Sequence, residues 1–280
     1  MKILVLGSTG MIGSSIFNQS SLNRKFTTFG TYKDKKKINF LNKKKLIHFN
    51  VYKKEKLKKI LEKIKPNIVI NCIGLTKHIN KKNKKNFVRI NSKFPHFAKK
   101  ISNIYNIKFV QISTDCVFDG KRGKYKETSK PNAKDIYGLS KSKGEINDNF
   151  NLTIRTSTIG HEINTKYGLL EWFLSQKKSC YGYKNAYFNG FPSYYLSKIL
   201  LKILFEHNIS GLIHISGIKI SKYHLLKKIN KIYNKKVKII ANDTVKIDRS
   251  LDNSKLKKII KYNPSWNQLI LMMKEYHENR

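Results

Sequence analysis

The chain has 280 residues, enough for one large domain or two closely joined ones at roughly 150 residues each. With 40% hydrophobic residues, 11% aromatics, 15 Gly and 5 Pro it is neither a disordered tail nor a collagen-like or low-complexity protein. The 58 basic against 17 acidic residues give a formal charge of +41, yet all but six of the bases are lysine. Nucleic-acid readers lean on the bidentate fork of arginine, so this composition describes a solvated lysine surface, and no nucleic-acid partner is expected.

Short apolar runs alternate with lysine-rich amphipathic segments, the pattern of a parallel α/β sheet, and no repeat at solenoid periods interrupts it. The first run, residues 2–6, leads at once into Gly7-Ser8-Thr9-Gly10-Met11-Ile12-Gly13 and a helix from about Ser14. Later strand-like runs are 27–32, 46–51, 68–73, 108–113 and 152–156, each preceded by a helix-like stretch; in residues 55–65, Leu57, Ile60, Leu61 and Ile64 share one face and lysines the other. Beyond about residue 157 the rhythm breaks into a Gly- and Tyr-rich stretch, a helix over 194–207, a strand over 212–216, a helix capped by Ser221 and a final helix after Pro264-Ser265-Trp266. The expected fold is a doubly wound, Rossmann-type parallel sheet. Residues 1–157 form the nucleotide-binding domain and 158–280 a smaller, mainly substrate-binding region that can return a strand to the sheet.

Cys72, Cys116 and Cys180 have neither CxxC spacing nor a nearby His pair, so no metal site and no disulfide framework is expected, and a reducing cytoplasm fits best. The N-terminus lacks the basic, apolar and small-residue order of a signal peptide, and the most apolar later stretch, 199–205, is too short to span a bilayer, so no membrane insertion is expected.

Gly7, Gly10 and Gly13 stand where a dinucleotide-binding turn requires them. The first permits the tight turn, the second lets backbone amides approach a pyrophosphate, and the third lets helix pack closely on strand. Ser8 and Thr9 add hydroxyl donors. The second strand ends Tyr32-Lys33 with no carboxylate at its tip to hold a ribose 2′-hydroxyl, and Lys33 can meet a 2′-phosphate, so the expected cofactor is NADP rather than NAD. The competing readings are that Lys33 is one more surface lysine and that neighbouring Asp34 takes the ribose. Further along, Thr114 follows the fifth strand, and Tyr137 and Lys141 are spaced four apart on one helix face. An ammonium beside a phenol, aided by an oxidised nicotinamide, lowers the phenol pKa from about 10 and makes it a usable proton carrier.

In these motifs, and in Asn71-Cys72-Ile73-Gly74, Arg89-Ile90-Asn91, Ser113-Thr114-Asp115, Val117-Phe118-Asp119-Gly120, Tyr125-x-Glu127 and residues 249–255, the sequence resembles the extended short-chain dehydrogenase/reductases, specifically the dTDP-4-dehydrorhamnose reductase family, over nearly the whole chain. The resemblance implies Tyr137 as proton donor, Lys141 as its modulator and ribose ligand, and Thr114 as the hydroxyl positioning the substrate oxygen. It implies cofactor contacts from the glycine turn, Tyr32, Lys33, Asn50, Val51, Cys72, Ile73 and Gly74, with Asn50 replacing an aspartate on the adenine. The implied reaction is NADPH-dependent reduction of the C4 keto group of a nucleotide-linked 4-keto-6-deoxy sugar for surface-polysaccharide synthesis, by a chain that can form a homodimer. An epimerase of the same superfamily and a non-catalytic regulatory partner of methionine adenosyltransferase are the alternatives. Sugar-nucleotide dehydratases typically carry Asp-Glu after the threonine; here Asp115 precedes Cys116, which argues against dehydration. Cys116 is read either as a substrate contact or as a buried strand-end cysteine. Arg249 is read either as a ligand of the nucleotide diphosphate or as a partner of Asp248 or Asp252 in a surface ion pair.

Overall fold

The computed structural model describes all residues except 36, 37, 39, 40, 77–83, 164–166, 262, 263 and 280. The first half of the chain lays down strands β1 (Lys2–Leu6), β2 (Thr27–Tyr32), β3 (Leu46–His48), β4 (Ile68–Asn71), β5 (Lys108–Ile112) and β6 (Leu152–Thr156). They are accompanied by helices α1 (Met11–Leu22), α2 (Lys56–Ile64), α3 (Lys84–Phe87), α4 (Phe94–Ile104) and α5 (Ile136–Ser142). The second half adds β7 (Thr158–Ile159), α6 (Leu169–Leu174), β8 (Ser179–Tyr183), β9 (Tyr187–Phe188), β10 (Phe191–Pro192), α7 (Ser193–Glu206), β11 (Gly211–Ile215), β12 (Ile220–Ser221), α8 (Lys222–Ile232), β13 (Lys238–Asn242), α9 (Ser254–Ile259) and α10 (Trp266–Glu278).

Seven strands form one sheet in the order β11-β6-β5-β4-β1-β2-β3, every neighbouring pair parallel. Strand β1 shows why the sheet is covered on both sides. Its side chains alternate, Ile3 and Val5 entering the core packed with α1 and α7, Leu4 and Leu6 the core packed with α2 and α4. Strand order reverses between β4 and β2 around β1, which opens a crevice at the carboxyl ends of these strands.

Two sequence readings change. The third strand stops at His48, because the Asn50 side chain caps a 3-10 turn over Val51–Lys53. No α-helix joins β2 to β3 among the described residues; a 3-10 turn, Lys43–Lys45, precedes β3 instead. The strand expected near 212–216 does return to the main sheet, as its edge beside β6. The remaining small strands pair as β10 with β7, β12 with β9 and β13 with β8. Among the described residues no helix is long and apolar enough to cross a membrane.

Candidate active site

The glycine turn leaves β1 through Gly7 at φ +78°, a left-handed conformation that a side chain resists. A Cβ on Gly13 would overlap the Gly7 carbonyl, so the helix can sit on the turn only because position 13 has none. Gly10 is different: a methyl there would make only an ordinary contact with Gly7 O at 3.7 Å, and the residue is exposed. It stands at the start of α1 with no side chain capping the helix, so the first amides of α1 face the crevice unclaimed. The expected pyrophosphate contacts Met11 and Ile12 stand in this first turn of α1. Thr9 lies half-exposed in it. Ser8 does not serve as a free donor: fully buried, it gives its hydroxyl to the Thr31 carbonyl at 2.9 Å, while Thr31 Oγ1 accepts the Gly7 amide at 2.9 Å. Ser8 therefore ties the turn to β2.

At the tip of β2, Tyr32 leans edge-on to His48 and the exposed Lys33 ammonium lies 5.6 Å from the centre of the Tyr52 ring. At the tip of β3, Asn50 Oδ1 already accepts the Tyr52 amide at 3.1 Å, which leaves its second lone pair and its amide donors for an adenine, and Val51 is half-buried beside it. At the tip of β4, Asn71 Oδ1 accepts the Ile73 amide at 3.1 Å and shapes the Cys72–Ile73–Gly74 turn. Ile73 packs under Gly7, and a Cβ on Gly74 would lie 3.9 Å from Lys141 Nζ. That continuity brings the nucleotide cradle to the catalytic candidates.

Beyond β5, Thr114 caps a 3-10 turn over Asp115–Val117, its Oγ1 accepting the Cys116 amide at 3.1 Å. Helix α5 is capped by Asp135, whose side chain accepts the Gly138 amide. A side chain on Gly138 would overlap the Cys116 carbonyl, so its absence lets α5 press against this turn and brings Tyr137 close to Thr114. Burial is the largest influence on the Tyr137 phenol and raises its pKa above the usual value; Cys116, Asp115 and Asp135 add to this and the Thr114 hydrogen bond opposes it. The acidic neighbours, rather than Lys141, are the charges acting most strongly on it. Lys141, 6% exposed, gives its ammonium to the Ile112 carbonyl at 2.6 Å. Burial lowers its pKa to about 8, against the charge of Glu145 that holds it up. The balance of these influences raises the Tyr137 phenol.

Cys116 is half-exposed in the 3-10 turn, which replaces the reading of a buried strand-end cysteine. Arg249 donates Nε to the Phe118 carbonyl at 2.8 Å and points Nη1 at Cys116 Sγ, 4.0 Å away. The ion pair with Asp248 or Asp252 does not form: Asp248 takes Lys219 at 3.0 Å, and Asp252 accepts the Ser254 amide. Arg249 thus joins Cys116 from 133 residues further along the chain.

Sequence reading quoted Asn91 and Ser113 within motifs but gave no role to them or to Ser140, Glu145 and Arg155, which support these groups. Asn91 accepts the Leu75 amide at 2.9 Å and donates to Ser140 Oγ at 3.1 Å, bracing the β4 turn against α5. Behind Thr114, Ser113 Oγ donates to Glu145 at 2.6 Å, and Glu145 is paired with Arg155. Single polar residues on separate elements leave no pattern along the chain. Among the described residues no group of three or more His, Cys, Asp or Glu is arranged to hold a metal.

A family model described as the RmlD substrate binding domain matches residues 1–175. The chain belongs to this family. Across 95% of this chain the fold of this RmlD-family protein is similar to a hypothetical dTDP-4-dehydrorhamnose reductase from Sulfolobus tokodaii, at 26% identity and a TM-score of 0.81 over 98% of that chain. It is similar in fold to the dTDP-4-dehydrorhamnose reductase of Bacillus anthracis in complex with NADP, at 20% identity and TM-score 0.80, with 100% and 99% of the two chains covered. It is equally similar in fold to the UDP-glucose 4-epimerase of Thermotoga maritima, at 17% identity and TM-score 0.81 over 100% and 99%. In sequence, 146 residues are 23% identical to the methionine adenosyltransferase 2 subunit beta of Danio rerio, 51% of this chain and 42% of that protein. The chain spans about two fifths of the length of the curated relatives it matches.

Proposed function

We propose that this protein is an oxidoreductase that uses NADPH to reduce the C4 keto group of a nucleotide-linked 4-keto-6-deoxy sugar, in the cytoplasmic synthesis of surface-polysaccharide precursors. The observation that carries this reading is the continuity from the Gly7–Gly13 turn, which packs on Ile73, to Gly74, where a Cβ would lie 3.9 Å from the Lys141 ammonium on the helix that also carries Tyr137. Family membership and the NADP bound by the Bacillus anthracis neighbour support the cofactor class.

In this reading the glycine turn and the first amides of α1 hold the pyrophosphate, Asn50 and Val51 the adenine, Lys33 the 2′-phosphate, and Cys72, Ile73, Gly74 and Lys141 the nicotinamide half. The bound reduced nicotinamide supplies a hydride. Thr114 orients the substrate oxygen, and Tyr137 holds at its hydroxyl the proton the new alkoxide takes. The Lys141 ammonium offers the positive charge that stabilises the phenolate left behind. Cys116 and Arg249 line the substrate side, with Arg249 available to a diphosphate. Residues 158–280, apart from β11, provide most of the remaining substrate contacts.

A second reading, a non-catalytic regulatory subunit, draws on the match to methionine adenosyltransferase 2 subunit beta. Titration with NADPH and NADH by nicotinamide fluorescence, followed by a panel of 4-keto-6-deoxy sugar nucleotides, separates the two. Loss of reduced-ring absorbance with one keto sugar establishes the reductase. Cofactor binding with no oxidation across the panel favours the regulatory reading, and interconversion of sugar epimers without net oxidation favours an epimerase.

A further inference from the structure

Beside the tip of β3 lies a cavity of about 580 Å³ lined by Val51, Phe94, Lys54, Lys84, Lys85, Val88, Arg89 and Lys93. Five of these side chains are cationic and none is acidic. Among the described residues, none of the five is in an ion pair. In a chain with so many lysines a basic surface is unremarkable in itself, but here the cations converge on one concavity, and their mutual repulsion is left uncompensated.

Two features show that the cavity is built. Arg89, one of only six arginines, is held in place: its Nη2 donates to the Tyr52 carbonyl at 3.1 Å and its guanidinium lies 4.7 Å from the centre of the Tyr52 ring. Lys54 is similarly laid over the Phe97 ring at 4.5 Å. Arg89 and Lys93 also belong to a π-helical segment, Val88–Lys93, inserted between α3 and α4. Such wide turns are rare and cluster at functional sites. The same segment turns Asn91 the other way, onto Leu75 and Ser140.

From this convergence we infer that the cavity is a phosphate-binding site, with Arg89 as its fork and Lys54, Lys84, Lys85 and Lys93 as supporting charges. The phosphate has two possible sources. It can be the 2′-phosphate of the cofactor, since Val51 is shared with the adenine end and Lys33 lies near the same Tyr52 ring; that source rests on the cofactor reading above. It can equally be a separate phosphorylated small molecule, which does not.

The test measures binding of inorganic phosphate by calorimetry, and of NADPH and NADH by fluorescence, to the full chain and to three variants. These are Arg89→Ala/Lys93→Ala, the exposed pair Lys84→Ala/Lys85→Ala, which cannot disturb the Tyr52 anchor, and Lys43→Ala/Lys44→Ala, which removes the same charge at the far end of β3. The two cavity variants are expected to weaken phosphate binding about tenfold or more, and the control to leave it unchanged. If phosphate competes with NADPH and the cavity variants weaken NADPH but not NADH, the cofactor is the source; phosphate binding without competition assigns a separate ligand. The inference is overturned if the cavity variants bind phosphate and NADPH as the parent does, or if the control loses phosphate binding equally. Failure of the parent to bind either nucleotide counts against the reductase and not against this cavity, which the phosphate arm decides alone.

Discussion

The Glu145 carboxylate and the Arg155 guanidinium meet as a fork directly behind Ser113, with Nη2 2.7 Å from Oε2 and Nε 2.8 Å from Oε1. Both side chains are buried, at 9% and 3% exposure. The pair has two functions in the site. It accepts the Ser113 hydroxyl at the root of the Thr114 turn, and Glu145, just past the end of α5, is the strongest charge keeping that lysine protonated.

Removing one partner strands the other charge in the interior. Arg155→Met is expected to destabilise the protein by about 3–5 kcal/mol, read from chemical denaturation. Replacing both, as Glu145→Leu/Arg155→Met, should cost less than the single change. A single variant as stable as the parent would show that the pair is not structurally required.

Tyr137→Phe keeps the ring and removes the proton. Turnover is expected to fall on the order of 10²–10⁴-fold, while NADPH affinity by fluorescence stays close to that of the parent. Retained turnover would remove Tyr137 from the proposed role.

Lys141 carries its charge below about pH 8. The pH profile of kcat/KM should therefore fall on its alkaline side from about pH 8, and Glu145→Gln, which withdraws the supporting negative charge, should move that limb to lower pH. Stability responds in the opposite sense. Between the folded value near 8 and the ordinary 10.5 the unfolded chain holds the extra proton, so this group makes stability rise with pH across that window and contributes a constant penalty below it. A limb that does not move in Glu145→Gln would dissociate the profile from Lys141.

Burial pushes the Cys72 thiol up to about 12, with Lys141 pulling the other way. Only on the order of 10⁻⁴ of it is thiolate at pH 8, and the thiolate is the nucleophile. In a Cys116→Ser/Cys180→Ser background, Cys72 should react with a thiol reagent orders of magnitude more slowly than free cysteine, and more slowly still when Lys141→Met is added. Rapid labelling would contradict its burial.

The glycine turn was legible because all its parts are local: Gly7, Gly10 and Gly13 act through backbone geometry within seven residues. The Tyr137–Lys141 spacing was legible for the same reason, since one helical turn places both on a face. Ser8 was misread because its partner, Thr31, belongs to the next strand. Of the two readings of Cys116 the buried strand end falls away because the side chain of Thr114 caps a turn there, and of the two readings of Arg249 the ion pair falls away because the Phe118 carbonyl takes its Nε.

By itself the sequence determined an α/β sheet, the order of its first six strands along the chain, the nucleotide turn and the helix that carries Tyr137 and Lys141, since each depends on periodicity or spacing within a short segment. Tertiary structure alone decided the return of β11 to the sheet edge, the phenol raised and the lysine brought to about 8 by burial, and the cations gathered around Arg89. These depend on desolvation and on charges set side by side from distant parts of the chain, and neither is a property of any one segment.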